Sequence, residues 1–360
     1  MTETTRAQEY ARFDVLDFYR YAGALFIALD HFLLLYLPAD VWITDRIHVL
    51  LQPLMGFFFT LSGFVIMHVY GRHISTIADY FDYLQKRLAR IYPLHLATFV
   101  LAMLWGIYSG HKYFFSSNAI LPNIFLLHAW DTTDHLSFNY PSWSVSAEFF
   151  VYLLFPVFLF VTNRLGLWWA LLLPLMCVIA NILFFNARGL GPWTQANYDF
   201  GCLRAVPSFI AGMVVYRLAT VRFAHLVVPG WTAHGLAIAT IPMMLVGVPN
   251  ELVLAIMVLV VFLLARAEPV IPGTLSKPLP RALANCSYGF YMLHALVGGM
   301  MLSLVPKVIY LSDAWKYGMA AAAILVTTMT AIISFRFFEN PARRYFGSLR
   351  FRRTKAVIRF

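Results

Sequence analysis

The sequence predicts an all-α, polytopic integral membrane helical bundle of about ten transmembrane helices, with both termini cytosolic. Three observations predict it. Of 360 residues, 61% are hydrophobic and only 12% are charged, a balance that suits a chain in lipid rather than a soluble domain. Apolar runs close to the ~20 residues of a bilayer-crossing helix recur between polar or Pro/Gly-rich breaks. Lysine and arginine crowd alternate breaks, as the positive-inside rule requires.

The runs lie near 17–37, 53–71, 90–109, 142–162, 167–186, 203–219, 231–247, 250–265, 285–305 and 317–338. No short apolar core with a small-residue cleavage site precedes the first run, so it is expected to be a permanent helix. In the second, FFFTLSGFVI (Phe57–Ile66), Ser62-Gly63 suits close helix packing. The segment Gly71–Tyr92 reads as a short amphipathic helix on the cytosolic side. Tyr92-Pro93 is then expected to mark entry into the third run, since a residue before proline avoids helical angles. The outside segment Gly110–Pro141 is long, polar and aromatic, and such loops are often functional. The seventh and eighth runs meet in a tight turn, Gly247–Glu251. With the N-terminus inside, 21 of the 27 lysines and arginines fall on the cytosolic side and 6 outside. Residues 1–345 are expected to form one membrane domain, and 346–360 a basic cytosolic tail against anionic lipid.

The first run carries charges that a lipid-facing helix would exclude. A charge near the middle of such a helix costs roughly 2.5–3.5 kcal/mol on insertion scales, so it usually has a partner or a function. Arg20 and His31 are eleven residues apart, which places them about 20° apart on one face and roughly 16 Å apart along the axis. Asp17 lies about 40° from His31 and stands i,i+3 to Arg20, so the two can pair. A mid-membrane imidazole on a polar stripe suits general-base work, because its pKa lies near working pH. Asp30 points about 100° away from His31 and suits either acceptor specificity or a helix contact.

Three further constellations stand out. Arg87 and Arg90 in QKRLARIYP share a face at the cytosolic boundary; guanidinium forks suit phosphate, and a topology signal is the bland reading. In PSWSVSAEFFVY, Ser144, Glu148 and Tyr152 recur at i, i+4 and i+8, bringing a carboxylate into the membrane. In CSYGFYMLH, Ser287, Tyr291 and His294 share a face, and His294 is either a core histidine or one that reaches His31. Cys177, Cys202 and Cys286 are scattered without ligand spacing, so neither a disulfide framework nor a metal site is expected. The net charge of +10 sits at helix ends, which argues against a nucleic-acid partner.

The ordered series LDFYR…H, FFTLSGFVI, RLARIYP, PSWSVSAEFFVY, SYGFYMLH and FEN-P resembles acyltransferase family 3, integral membrane enzymes that acylate exported glycans and some small molecules. The resemblance runs from Asp14 to about Arg344. Arg20 and His31 fit the family's arginine, ten residues, histidine pattern; Arg87 and Arg90 fit its RxxR; Ser62-Gly63 fit its LSGF; and Trp143, Ser144 and Glu148 fit its W-S-x-S-x-E. Phe18-Tyr19 replaces the family's usual glycine, and Asp30 replaces a hydrophobe.

The resemblance implies O-acyl transfer, acetyl first, from cytosolic acyl-CoA to a hydroxyl of an exported or lipid-linked saccharide such as an exopolysaccharide or O-antigen unit. His31 would be the base, Arg20 and Asp17 its catalytic neighbours, and Glu148 would orient the acceptor. Arg87, Arg90, Arg20 and Ser62 would hold the donor. Trp143, Ser144, Tyr288, Tyr291, His294 and Asp30 would line the acceptor site. A covalent acyl-histidine relay is the rival route. The expected setting is a bacterial inner membrane, with lipids, acyl-CoA and the saccharide as partners. From another class, a proton-coupled secondary transporter would use Asp17, Arg20, His31 and Glu148 as its relay; no internal repeat of the transporter kind is evident.

Overall fold

The computed structural model of the protein describes residues 3–35, 47–109, 115–270, 274, 277–308 and 313–349. Their regular structure is helical, joined by turns and loops; the only extended pairing among them is an isolated bridge between Val228 and Ala267. Beside short helical turns such as Ile120–Ile124, the main helices are α1 (Glu3–Leu35), α2 (Pro53–Tyr70), α3 (Ile77–Ser109), α4 (Trp143–Arg164), α5 (Leu167–Ala187) and α6 (Gly201–Arg217). They continue with α7 (Gly230–Leu245), α8 (Asn250–Arg266), α9 (Pro278–Leu293), α10 (Gly299–Val308), α11 (Asp313–Ser334) and α12 (Asn340–Ser348).

Six helical stretches among the described residues are long and apolar enough to cross a membrane: Ile47–Tyr70, Ile77–Ser109, Tyr140–Arg164, Leu167–Ala187, Gly201–Arg222 and Trp315–Ser348. α1 has the length, but its apolar part carries Asp17, Arg20 and Asp30. α7, α8 and α9 run 16, 17 and 16 residues, some ~25 Å against a hydrocarbon core of ~30 Å.

Two boundaries differ from the sequence expectation. α1 begins at Glu3, well before the apolar run. More tellingly, α3 is one unbroken helix through Pro93, not an amphipathic helix followed by a break. Pro93 removes only the bond to the carbonyl four residues back, a loss that membrane helices tolerate where neighbours compensate. Pro156, Pro174, Pro207 and Pro242 likewise sit inside helices. The start of α3 is fixed locally. Thr76 Oγ1 accepts the Asp79 N–H (3.2 Å) and Asp79 Oδ2 accepts the Thr76 N–H (2.9 Å), a reciprocal capping box. The ends of the first apolar run (36–37), the start of the outside loop (110–114) and most of the basic tail (350–360) lie outside the described residues.

The chain divides into two compact units. The first takes residues 1–58 and 219–335. Here α1 packs along α9 and α8, α9 packs on α11, and α7 pairs with α8. The helix from Pro278 widens into a π turn at His294–Gly298 before α10. Gly298 at its end lets α1 come close: a Cβ there would stand 2.1 Å from the Phe32 ring.

The second unit takes residues 59–218 and 336–360. In it α6 packs against α5 and α4, and α12 lies on α3. The C-terminal part of α2 crosses α6 at backbone distance. A Cβ on Gly63 would lie 1.9 Å from the Phe209 carbonyl oxygen, and one on Gly212 would lie 2.0 Å from that of Thr60. The two glycines are therefore complementary halves of one crossing, the small-residue packing expected of Ser62-Gly63.

Candidate active site

In the first unit, α1 is continuous, so its sequence spacing becomes real geometry. Asp17 Oδ1 accepts from Arg20 Nη1 at 2.8 Å, the expected i,i+3 pair. Eleven residues on, His31 Nδ1 lies 2.8 Å from Nε2 of His294, and the two rings stack with 17° between planes and 5.1 Å between centroids. The π turn that opens at His294 thus meets α1, and the reach from His294 to His31 is direct. His294 is fully buried at 0% exposure, beside the rings of Phe32, Phe290 and Tyr291.

Asp30 occupies its own pocket on α1. It is buried, and its Oδ2 lies 2.7 Å from His48 Nδ1. Gln52 Nε2 approaches His48 Nε2 at 3.1 Å. The His48 ring sits 6.2 Å from that of His31. The sequence reading missed His48 and Gln52 because both precede the second apolar run. Their one signal was i,i+4 spacing just before Pro53. Nearer Arg20, Tyr19 Oη bonds His234 Nδ1 at 2.7 Å and Tyr21 Oη meets Thr328 Oγ1 at 2.8 Å. On α9, Tyr291 packs against Phe58 at 6.2 Å, and Tyr288 is half-buried three residues before it.

The second unit holds the remaining expected residues in two groups. Ser62 Oγ and Tyr152 Oη both donate to Oε1 of Glu148, at 2.7 and 2.5 Å. Glu148 Oε2 is left without a protein donor among the described residues. Ser62 therefore serves the carboxylate as well as the helix crossing. Arg87 Nη2 donates to Tyr70 Oη at 2.9 Å, and its guanidinium carbon stands 4.8 Å from the Tyr70 ring centroid. Tyr83 links the groups, 4.9 Å from Tyr70 and 6.4 Å from Tyr152 by ring centroids. Arg90, one turn beyond Arg87, is half-buried. The Nε of Arg87 is buried with no hydrogen-bond partner among the described residues. An orphaned guanidinium donor is what a phosphate oxygen would satisfy.

The first part of the W-S-x-S-x-E segment folds the preceding loop down. Ser144 Oγ donates to the Pro141 carbonyl (3.1 Å), and Ser146 Oγ donates to the Leu126 carbonyl (2.6 Å) while accepting the Ala129 N–H (3.1 Å). Trp143 lies beneath the guanidinium of Arg204, 5.1 Å from ring to carbon. Inside the loop, His128 Nε2 lies 3.1 Å from Ser142 Oγ and its ring stacks on His95, 5.6 Å between centroids. Burial, reinforced by His95, pushes His128 down to about 3. Ser144 and Glu148 share a helix face, yet only Glu148 joins the Ser62–Tyr152 group; the serine turns back to the loop.

Long apolar helices, with imidazole, carboxylate and guanidinium groups buried among them, mark a membrane protein. The chain belongs to acyltransferase family 3, whose acyltransferase-domain profile matches residues 13–337. The chain is also similar to acyltransferase MdmB of Streptomyces mycarofaciens, with 26% identity over 322 residues and 81% of each chain covered. No solved structure gives a significant match.

Proposed function

We propose that the protein transfers an acyl group, acetyl in the first instance, from coenzyme A to a hydroxyl of an exported or lipid-linked saccharide. The observation that carries this reading is the bond between half-buried His31 and fully buried His294, with His31 set on the same helix face as the Asp17-held Arg20. His31 takes the proton of the acceptor hydroxyl. The hydroxyl oxygen attacks the thioester carbonyl, the C–S bond breaks, and the thiolate leaves with the electron pair and recovers the proton from His31. Arg87 supplies phosphate recognition through its unpartnered Nε, with Arg90 beside it. Glu148 offers its open oxygen to a donor group of the acceptor. Asp30, with its bonded His48, bears on which acceptor is taken.

The same reading gives about ten spans with both termini in the cytosol of a bacterial inner membrane. Residues 1–345 act as one functional domain, a view supported by a family match that spans both units. The basic residues after 345 rest on anionic lipid.

The test uses protein in nanodiscs with labelled acetyl-CoA. Wild type is expected to bind the donor and release free coenzyme A thiol. Arg87→Ala/Arg90→Ala should lose binding, and His31→Ala should keep binding while losing at least about a hundredfold in turnover, the low end of a general base's contribution. Full turnover in His31→Ala would sink the base assignment. Proton-coupled flux without thiol release would replace transfer by transport.

A further inference from the structure

We infer that His294 is a positioning residue: it fixes the tautomer of His31 so that the lone pair lies on Nε2. This rests on His31 being the base.

The chain of hydrogen bonds leaves one assignment. His294 Nδ1 lies 2.5 Å from the carbonyl oxygen of Tyr291. A carbonyl oxygen accepts only, so His294 Nδ1 carries the proton. His294 is fully buried at 0% exposure, among Phe32, Phe290 and Tyr291. Among the described residues its polar partners are the backbone at Tyr291 and Phe290 and the ring of His31. Among the described residues the nearby carboxylate, Asp30, is held by His48 instead. An imidazolium buried without a carboxylate is strongly disfavoured, so His294 is neutral and its Nε2 is a bare acceptor. His31 Nδ1, 2.8 Å away, must then be the donor. A neutral imidazole with a protonated Nδ1 has its lone pair on Nε2.

The fold holds this arrangement from both sides. His294 opens the π turn His294–Gly298, and such turns recur at functional sites. Four residues on, Gly298 admits Phe32, the immediate neighbour of His31, so close that no Cβ fits. The helix carrying the orienting imidazole is thereby locked against the helix carrying the base. When Nε2 takes the acceptor proton, His31 becomes a cation whose Nδ1–H already points at the His294 acceptor. A carboxylate partner would hold the base's charge more tightly; a neutral imidazole orients it and leaves it ready to return the proton to the departing thiolate.

The measurement is 15N spectroscopy of histidine-labelled full-length protein in nanodiscs, with His31 assigned from the signal lost in His31→Gln. Wild type is expected to show a protonated Nδ1 and a bare Nε2 at His31. His294→Gln, whose amide oxygen can replace the Nε2 acceptor, should keep that signature and keep kcat within about threefold. His294→Leu should give mixed tautomers and lose about tenfold or more in kcat, with KM for acetyl-CoA little changed, as mis-set tautomers cost other histidine bases. A wild-type His31 with its proton on Nε2, or a charged His294, overturns the inference without any variant. So does His294→Leu with unchanged tautomer and kcat. If His31→Ala retains transfer, the base reading falls on its own evidence, and the tautomer assignment is still decided by the wild-type spectrum.

Discussion

Glu148 receives both of its protein hydrogen bonds on one oxygen, from Ser62 and Tyr152. Glu148→Gln preserves an oxygen that can accept both, so folding should survive while the charge is lost. Ser62→Ala removes one bond to a charged acceptor, worth about 1.5–3 kcal/mol. We therefore expect Ser62→Ala to lower Tm in detergent more than Glu148→Gln, and Glu148→Gln to lower kcat/KM for the acceptor more. The opposite ranking would make the group structural. His128 gives a second residue-scale expectation. Above pH about 6.5 it is neutral folded or unfolded; between there and about 3 only the unfolded chain takes the proton. Stability should fall as pH drops through that window, by at most ~1.4 kcal/mol per pH unit. The Tm difference between pH 7.5 and 5 should shrink in His128→Asn relative to wild type; an equal slope in both removes His128 as a cause.

Legibility in the sequence follows distance along the chain. The Asp17–Arg20 pair could be read directly because one helix contains both partners. The His31–His294 bond joins residues 263 apart, and helix-face counting says only that each points inward, not toward the other. Asp30 shows the same limit: its angular offset from His31 was plain, while its partner His48 lies beyond the run.

At the scale of the element, helix existence was legible and helix continuity was not. Apolar runs found α2 and α4 to α8 within a few residues, because burial in lipid imposes composition directly. The passage of α3 through Pro93 and the π turns at His294–Gly298, Leu218–Arg222 and Phe335–Glu339 are not encoded in local pattern; the first of these turns packs on α1 and α11. The Gly63–Gly212 crossing yields a sharp contrast. A Cβ at either glycine would meet a backbone carbonyl oxygen at 1.9 or 2.0 Å, so the helices must part by about an ångström, with an overpacking cost of ~1–3 kcal/mol or more. Gly235, inside α7, has nothing within 4 Å of its would-be Cβ, and alanine there should be neutral or stabilising by up to about 1 kcal/mol. Folded yield and Tm of the three alanine variants check this. Parity among them would mean that the crossing is not as close as it is drawn.

At the scale of the whole molecule, orientation is a question of charge rather than of contacts. On the proposed topology 21 of the 27 basic residues fall on one side, a bias far larger than a single loop could reverse, since each juxtamembrane Lys or Arg near an anionic surface contributes about 1 kcal/mol. The proposed topology puts the loop between α3 and α4 outside and the end of α12 inside, so an odd number of spans separates them. Asp134 in that loop and Ser348 at the end of α12 are both exposed, which makes them fair sites for single cysteines once Cys177, Cys202 and Cys286, all free thiols, are replaced. A membrane-impermeant maleimide applied to intact spheroplasts should label Asp134→Cys at once and Ser348→Cys only after permeabilisation. Labelling of both from the same side would break the parity on which the ten-span reading depends. Labelling in the reverse sense would keep the parity, move Arg87 and Arg90 to the outside, and separate them from a cytosolic acyl-CoA pool, leaving the donor assignment untenable even with the family membership intact.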